Sequence, residues 1–321
     1  MSHREFLGYE NPIICLPMNR VSNIDLAIAV AKAGCLPSII MVAYSADEGK
    51  IFREEKFVKD ILKFKSLVGN CNIIVSMTDI FLETHYERMF KMIELFSITH
   101  IEILPYYGNQ IRNLKIDKRL KEGSYDLKSY INNLVKIKTT GCKIIVKCLA
   151  YPIEPISEAL AKNKVIDAII VKCAKGAGKV SPLHEDLVEL ITKAKKRYPT
   201  VHIIASGGVS TSKDVHDCIK AGATAVGIGT IFALSSESKV DPETKQLLIS
   251  KTSKDITVIG KSGLGLNAIV IKEHDGPDDD NFSHSLEIGV KGAGGHLYIG
   301  HGINQVNEIL SVSDIVKRLT T

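Results

Sequence analysis

Short, continuously apolar, β-branched runs alternate with amphipathic helical stretches along this 321-residue chain, and that alternation constrains its fold more than any other feature. Eight runs can be read, at residues 12–16, 36–42, 72–76, 100–104, 143–148, 168–171, 202–205 and 225–228. Their starts recur at roughly 23 to 43 residues, the spacing needed by a strand, a crossover helix and two short loops. The runs show no alternation of apolar and polar residues, so both faces of each strand must be covered, as in a parallel sheet. Between them lie stretches such as "NIDLAIAVAKAG", "HYERMFKMIELF" and "EDLVELITKAKKRYP", with apolar residues at helical spacing. Ser22 with Asp25, and Thr211 with Asp214, have capping-box spacing.

Eight successive units favour an α/β chain closed into a (β/α)8 TIM barrel, because closure leaves no strand edge exposed. An open doubly wound sheet is the alternative, since spacing alone does not reveal closure. After Thr230 the regular beat breaks until "EILSVSDIVKRL" resumes a helical pattern. Residues 236–300 are therefore expected to form an insertion between strand 8 and the C-terminal helix, a lid region at the catalytic face of a single domain spanning 1–321. The "DGPDDD" run at 275–280 reads as a solvated loop, and no metal is expected.

The composition, 45% hydrophobic and 24% charged, supplies a sizeable core. The net charge of +5 is spread over mixed Lys and Glu with no basic arm, which argues against nucleic acid as a partner. No apolar run approaches the roughly 20 residues of a membrane helix, and the N-terminal stretch lacks the apolar core of a signal peptide. The expected setting is the cytoplasm, without a membrane partner, and a homodimer is compatible with the sequence. Seven cysteines, an odd number without metal-ligand spacing, read as reduced side chains packed as small hydrophobes; Cys173, on the loop after the sixth strand, has the most notable position.

Two glycine-bearing strand ends point to a site. Gly207 and Gly208 follow the seventh strand, and Gly229 and Thr230 the eighth. Loops in these two places commonly hold a phosphate in a barrel, because missing side chains let main-chain amides approach an anion. Thr230 adds a hydroxyl donor, and Ser206 either does the same or caps the turn. After the sixth strand, Lys172, Lys175 and Lys179 flank Gly176 and Gly178 and gather positive charge beside those loops. The first strand delivers Pro17, Met18, Asn19 and Arg20 to the same face, where the amides and carbonyls of Met18 and Asn19 suit a flat ligand. His296 and His301, in "GGHLYIGHG", are further acid or base candidates, and Tyr106 with Tyr107 are candidates for a pocket wall.

The segments "NPIICLPMNRVSNIDLAIAVAKAGCLPSI", "DAIIVKCAKGAGK", "IIASGGVSTSKDVHDCIKAGATAVGIGTIFALSSES" and "GGHLYIGHGINQVNEILSVSDIVKRL" resemble, in order and over nearly the whole chain, the flavin mononucleotide (FMN) barrels of the nitronate monooxygenase family. The resemblance implies an FMN-dependent oxidoreductase, a flavoprotein monooxygenase acting on a small anionic substrate such as an alkyl nitronate. It also implies that Pro17 and Met18 line the isoalloxazine, that Lys172 occupies a flavin-contacting position usually held by Gln, and that Gly207, Gly208, Gly229 and Thr230 bind the phosphate. One departure stands out. Where the family reads Gln-Gly-x-Glu-Ala-Gly-Gly-His, this chain reads Lys172 through Lys179, so the usual catalytic His is replaced by Lys179 and the Glu by Lys175. A lysine ammonium, with a reference pKa of about 10.4, does not accept a proton near neutrality, so Lys179 is expected to hold an anion. Two alternatives remain at this level: a Schiff-base aldolase-type lyase using Lys172, and a flavin-binding scaffold with reduced catalysis.

Overall fold

The computed structural model describes residues 2–46, 51–104, 127–148, 161, 164–179, 186–259, 266–272, 290–291 and 295–321. Eight parallel strands form the central sheet: β1 Ile13–Cys15, β2 Ser38–Ile40, β3 Ile74–Thr78, β4 His100–Leu104, β5 Lys143–Cys148, β6 Ala168–Lys172, β7 His202–Ser206 and β8 Ala225–Ile228. From β2 to β8 each strand pairs with its sequence neighbours, and β8 pairs with β1. The two ends of the sheet meet through Leu36: the Cys15 N–H donates to its carbonyl at 3.0 Å, and its own N–H donates to the Ile13 carbonyl at 3.0 Å. The open-sheet alternative is thereby excluded, and the chain is a TIM barrel.

The strands read as unbroken apolar runs because their outward residues lie under helices while their inward residues fill the barrel. Ile13, Ile14, Ile74, Ile101, Ile144 and Ile169 are all fully buried. Each such side chain contributes on the order of 1.5–3 kcal/mol through removal from water. Local signals set the helix starts. Thr211 and Asp214 form the expected capping box at the head of Ser212–Lys220. The box expected from Ser22 and Asp25 does not form. Asn23 caps Ile24–Lys32 by accepting from the Leu26 N–H at 2.7 Å, and Ser22 Oγ accepts instead from the Met18 N–H at 2.9 Å. Ser22 sits one residue too early for the helix and serves the turn after β1.

Between β8 and the final helix, Val312–Thr320, stand helix Pro242–Ile249 and the strands Thr257–Ile259, Leu266–Lys272 and Gly295–Leu297. Leu266–Lys272 also pairs antiparallel with Gly178–Lys179 from the loop after β6. A second buried cluster, including Val21, Leu234, Leu248, Ile269, Leu297 and Ile303, joins this segment to the loops after β1 and β8. The 275–280 run and Tyr106 and Tyr107 lie outside the described residues. Among the described residues, no helix is long and apolar enough to cross a membrane.

The opposite end of the barrel is stoppered by helix His3–Leu7. Phe6 stacks on His202 at 4.4 Å between ring centres and meets His100 edge-on at 5.4 Å. The Phe6 carbonyl accepts from His100 Nε2 at 2.9 Å and from Lys143 Nζ. A carbonyl only accepts, so Nε2 carries the proton of a neutral imidazole. Burial, aided by the Lys143 charge, pulls the His100 pKa down to about 3. The folded pKa therefore lies below the reference value, and the unfolded chain binds the extra proton. Stability from His100 is complete above about pH 6.5 and should fall, by up to a few kcal/mol, as pH drops towards 3. Urea unfolding as a function of pH checks this, and His100→Gln, which does not titrate, should show a shallower decline over that range.

Candidate functional site

The candidate site lies at the C-terminal mouth of the barrel, where the loops after β1, β6, β7 and β8 converge. Ser206 and Gly227 are register partners on β7 and β8, so Gly207-Gly208 and Gly229-Thr230 leave adjacent strands side by side. Gly302 seals the gap between the two loops: a Cβ there would meet Ser210 Cβ at 3.5 Å and Thr230 Cβ at 3.7 Å. Gly207, at φ +115°, is required twice over, because a Cβ would also fall 2.7 Å from Cys173 Sγ. The buried Thr230 hydroxyl accepts from the Gly300 N–H at 3.0 Å, which leaves its O–H available as a donor.

The turn after β1 differs from expectation. The Met18 N–H is committed to Ser22 Oγ, and its carbonyl accepts from Val21 and Ser22 at 3.2 and 2.9 Å. Its main chain is thus spent on the turn, with Arg20 at φ +64° closing it. The Met18 side chain is what reaches the mouth: a Cβ at Gly229 would lie 3.7 Å from Met18 Sδ. Beside it, Asn19 Oδ1 is buried and accepts no hydrogen bond among the described residues, so an acceptor waits there for a donor.

The loop after β6 is held from three sides. Asn267, buried on the Leu266–Lys272 strand, donates to the carbonyls of Ala174 and Gly176, both at 2.8 Å. The His301 N–H donates to the Lys175 carbonyl at 2.9 Å, and the Cys173 N–H to the Ser206 carbonyl at 3.1 Å. Lys172 Nζ donates to the Ala177 carbonyl, with its stem laid against Gly176 so closely that a Cβ there would collide with Cε. Lys175 lies over Gly208, whose added Cβ would sit 3.0 Å from Lys175 Cβ. Lys179 is described through its backbone alone, which pairs with Leu266. The loop therefore stands beside Gly207 and Gly208 after β7. Cys173 is 1% exposed, with Sγ 3.4 Å from the Gly207 carbonyl, and burial pushes its thiol pKa up, which makes it a packing residue.

Inside the barrel, Glu102, Lys147 and Ser76 escaped the sequence reading. Glu102 on β4 lies inside the barrel, 1% exposed, with Lys147 Nζ of β5 at 3.5 Å from Oε1. Ser76 is its register partner on β3, and Lys172 adds positive charge from β6. Burial raises the Glu102 pKa, and Lys147, Lys172 and Ser76 offset part of that rise. A charged residue within the apolar runs "HIEIL" and "IIVKC" was the available signal. The Schiff-base reading gains nothing here, because Lys172 Nζ is engaged by the Ala177 carbonyl. His301 lies next to Lys175, and burial with that charge lowers its pKa; His296 is buried, and burial lowers its pKa too.

These features define a (β/α)8 barrel whose mouth carries two adjacent glycine-bearing loops above Lys147 and the buried Lys172 and Glu102. The chain belongs to the nitronate monooxygenase family, whose model matches residues 2–321. It is 25% identical over 288 residues to the nitronate monooxygenase of Pseudomonas aeruginosa, covering 81% of this chain and 78% of that protein. Among solved structures, FabK from Thermotoga maritima superposes with a TM-score of 0.70 at 19% identity, covering 98% of this chain and 93% of that one. Nitroalkane oxidase from Streptomyces ansochromogenes gives a TM-score of 0.70 at 17% identity, with 99% and 96% covered. At these identities the two structures speak for the barrel alone; the family assignment makes the chain a member of an oxidoreductase family.

The fit of Gly300 yields a test of the loop. A Cβ there would stand 2.7 Å from the Lys175 carbonyl oxygen and 2.8 Å from the Ala177 nitrogen, both main-chain atoms. Gly300→Ala should therefore lower stability by about 1–3 kcal/mol, read by urea denaturation, as overpacking against backbone does.

Proposed function

We propose that this chain is an FMN-dependent oxidoreductase that oxidises a small anionic substrate such as an alkyl nitronate. The observation that carries this reading is the pair of adjacent loops closed by Gly302, with the Thr230 hydroxyl between them and the Met18 side chain alongside Gly229. Gly207, Gly208, Gly229 and Thr230 would hold the phosphate through amides and a hydroxyl, and Pro17 and Met18 would line the ring system. The donor set fits the group: small residues where an anion must approach, an apolar thioether where a flat ring would rest, and on the same turn as Met18 a buried Asn19 oxygen that accepts no hydrogen bond among the described residues. When bound, FMN supplies the redox chemistry, and the protein supplies orientation and charge.

The residues of the chain divide the remaining work. Lys147 and Lys172, at the barrel's mouth end, would supply positive charge to a flavin bound there, favouring the negative charge that develops on reduction. Lys175 and Lys179 stand on the loop that would meet the substrate. With Lys179 in the place of the family's histidine, the chain has no neutral imidazole at that position to take a proton from a carbon acid. The substrate is therefore one that arrives already deprotonated.

The purified protein, mixed with FMN and freed of excess, should show a bound-flavin visible spectrum, and absence of uptake would refute the reading. Thr230→Val, which keeps the shape and removes the hydroxyl, should weaken FMN binding roughly ten- to a hundredfold, as loss of a charge-assisted hydrogen bond does. In oxygen-consumption assays, preformed alkyl nitronates should be oxidised and the parent nitroalkanes should not.

A further inference from the structure

A buried carboxylate without a hydrogen bond is costly unless something else in its surroundings balances it. Both Glu102 oxygens are buried and, among the described residues, accept no hydrogen bond. The residue is 1% exposed and faces Lys147 of β5, with Oε1 3.5 Å from Nζ, Lys172 of β6 and Ser76 of β3. Lys172 is the last residue of β6 and its ammonium bonds to the loop above, so this cluster forms the floor directly under the mouth. Among the described residues of this cluster, one carboxylate stands against two lysines. None of the contacts among these residues is needed to close the barrel, whose strands pair through the main chain.

Resting on the flavin reading, we propose that Glu102 is the positioning residue that keeps charge constant beneath the cofactor: ionised opposite Lys147 and Lys172 with oxidised flavin, and protonated from solvent when the flavin becomes anionic on reduction. The balance is simple. A two-electron donor, dithionite in the test, gives two electrons to the flavin, which binds one proton, and a Glu102 oxygen binds a second proton from solvent. The added negative charge of the flavin is matched by the lost negative charge of the carboxylate, so the net charge of the site is unchanged by reduction. No bond within the protein is made or broken apart from that O–H. Burial disfavours the carboxylate and the charges of Lys147 and Lys172 favour it, so the group stands between opposing influences that an added flavin charge would tip towards the protonated form.

The test is the pH dependence of the flavin midpoint potential, measured by dithionite titration of FMN-loaded protein between about pH 6 and 9. Each proton taken up in a two-electron couple moves the potential by about 30 mV per pH unit. Wild-type protein should include a range near 60 mV per pH unit, for two protons, whereas Glu102→Gln should stay near 30. Identical slopes would overturn the proposal. The reduced-minus-oxidised infrared spectrum of the wild-type protein gives the same answer without a variant: a protonated carboxyl C=O band should appear on reduction, and its absence overturns the proposal. Failure to take up FMN would refute the flavin reading itself, and is seen in the visible spectrum before any titration; FMN uptake with equal slopes and no carboxyl band removes only the role of Glu102.

Discussion

The site depends on the seam between β1 and β2. Two main-chain hydrogen bonds at Leu36 join the first strand to the second, and with the pairing of β8 to β1 they bend the sheet into a ring. Each such bond is worth only about 0.5–1.5 kcal/mol net. Their effect is geometric: without the ring, the Met18 turn would not stand beside Gly229, and the floor residues of β3 to β6 would not share an interior with it. The helix stopper at the other end fills the space that ring closure leaves below the strands, using Phe6 as both a ring and a carbonyl.

Strands and fold were legible because covering both faces of a strand imposes a composition that survives in the sequence, and all eight runs appear within a residue or two of where they were read. Capping was legible only where the spacing was unambiguous. Thr211 met the head of its helix, whereas Ser22 and Asn23 are adjacent polar residues, and only the path of the turn after β1 decides which of them caps. The glycine pairs after β7 and β8 were readable as a pair of neighbouring loops for the same local reason, since each follows directly on an apolar run.

What remained hidden is what distant segments do to one another. Nothing near Ala174 in the sequence announces that its carbonyl is held by Asn267, 93 residues away. Gly300 looks like any loop glycine until the Lys175 main chain is found against it. Glu102 and Lys147 each interrupt an apolar strand, but their meeting across β4 and β5 depends on register and on which side of the strand faces inward. The same holds for Met18, whose main chain was expected at the ligand and is instead absorbed by its own turn.

The bonds from Asn267 and His301 to the loop after β6 also bear on the order of assembly. Synthesis runs from the N-terminus, and contacts of high sequence separation form late because loop-closure entropy must first be overcome. A nascent chain that has completed β8 already possesses every strand of the ring, yet the segment carrying Lys175 still lacks the partners that fix its shape. Competence would thus be conferred by the last quarter of the polypeptide to emerge, after the scaffold that displays it is already built.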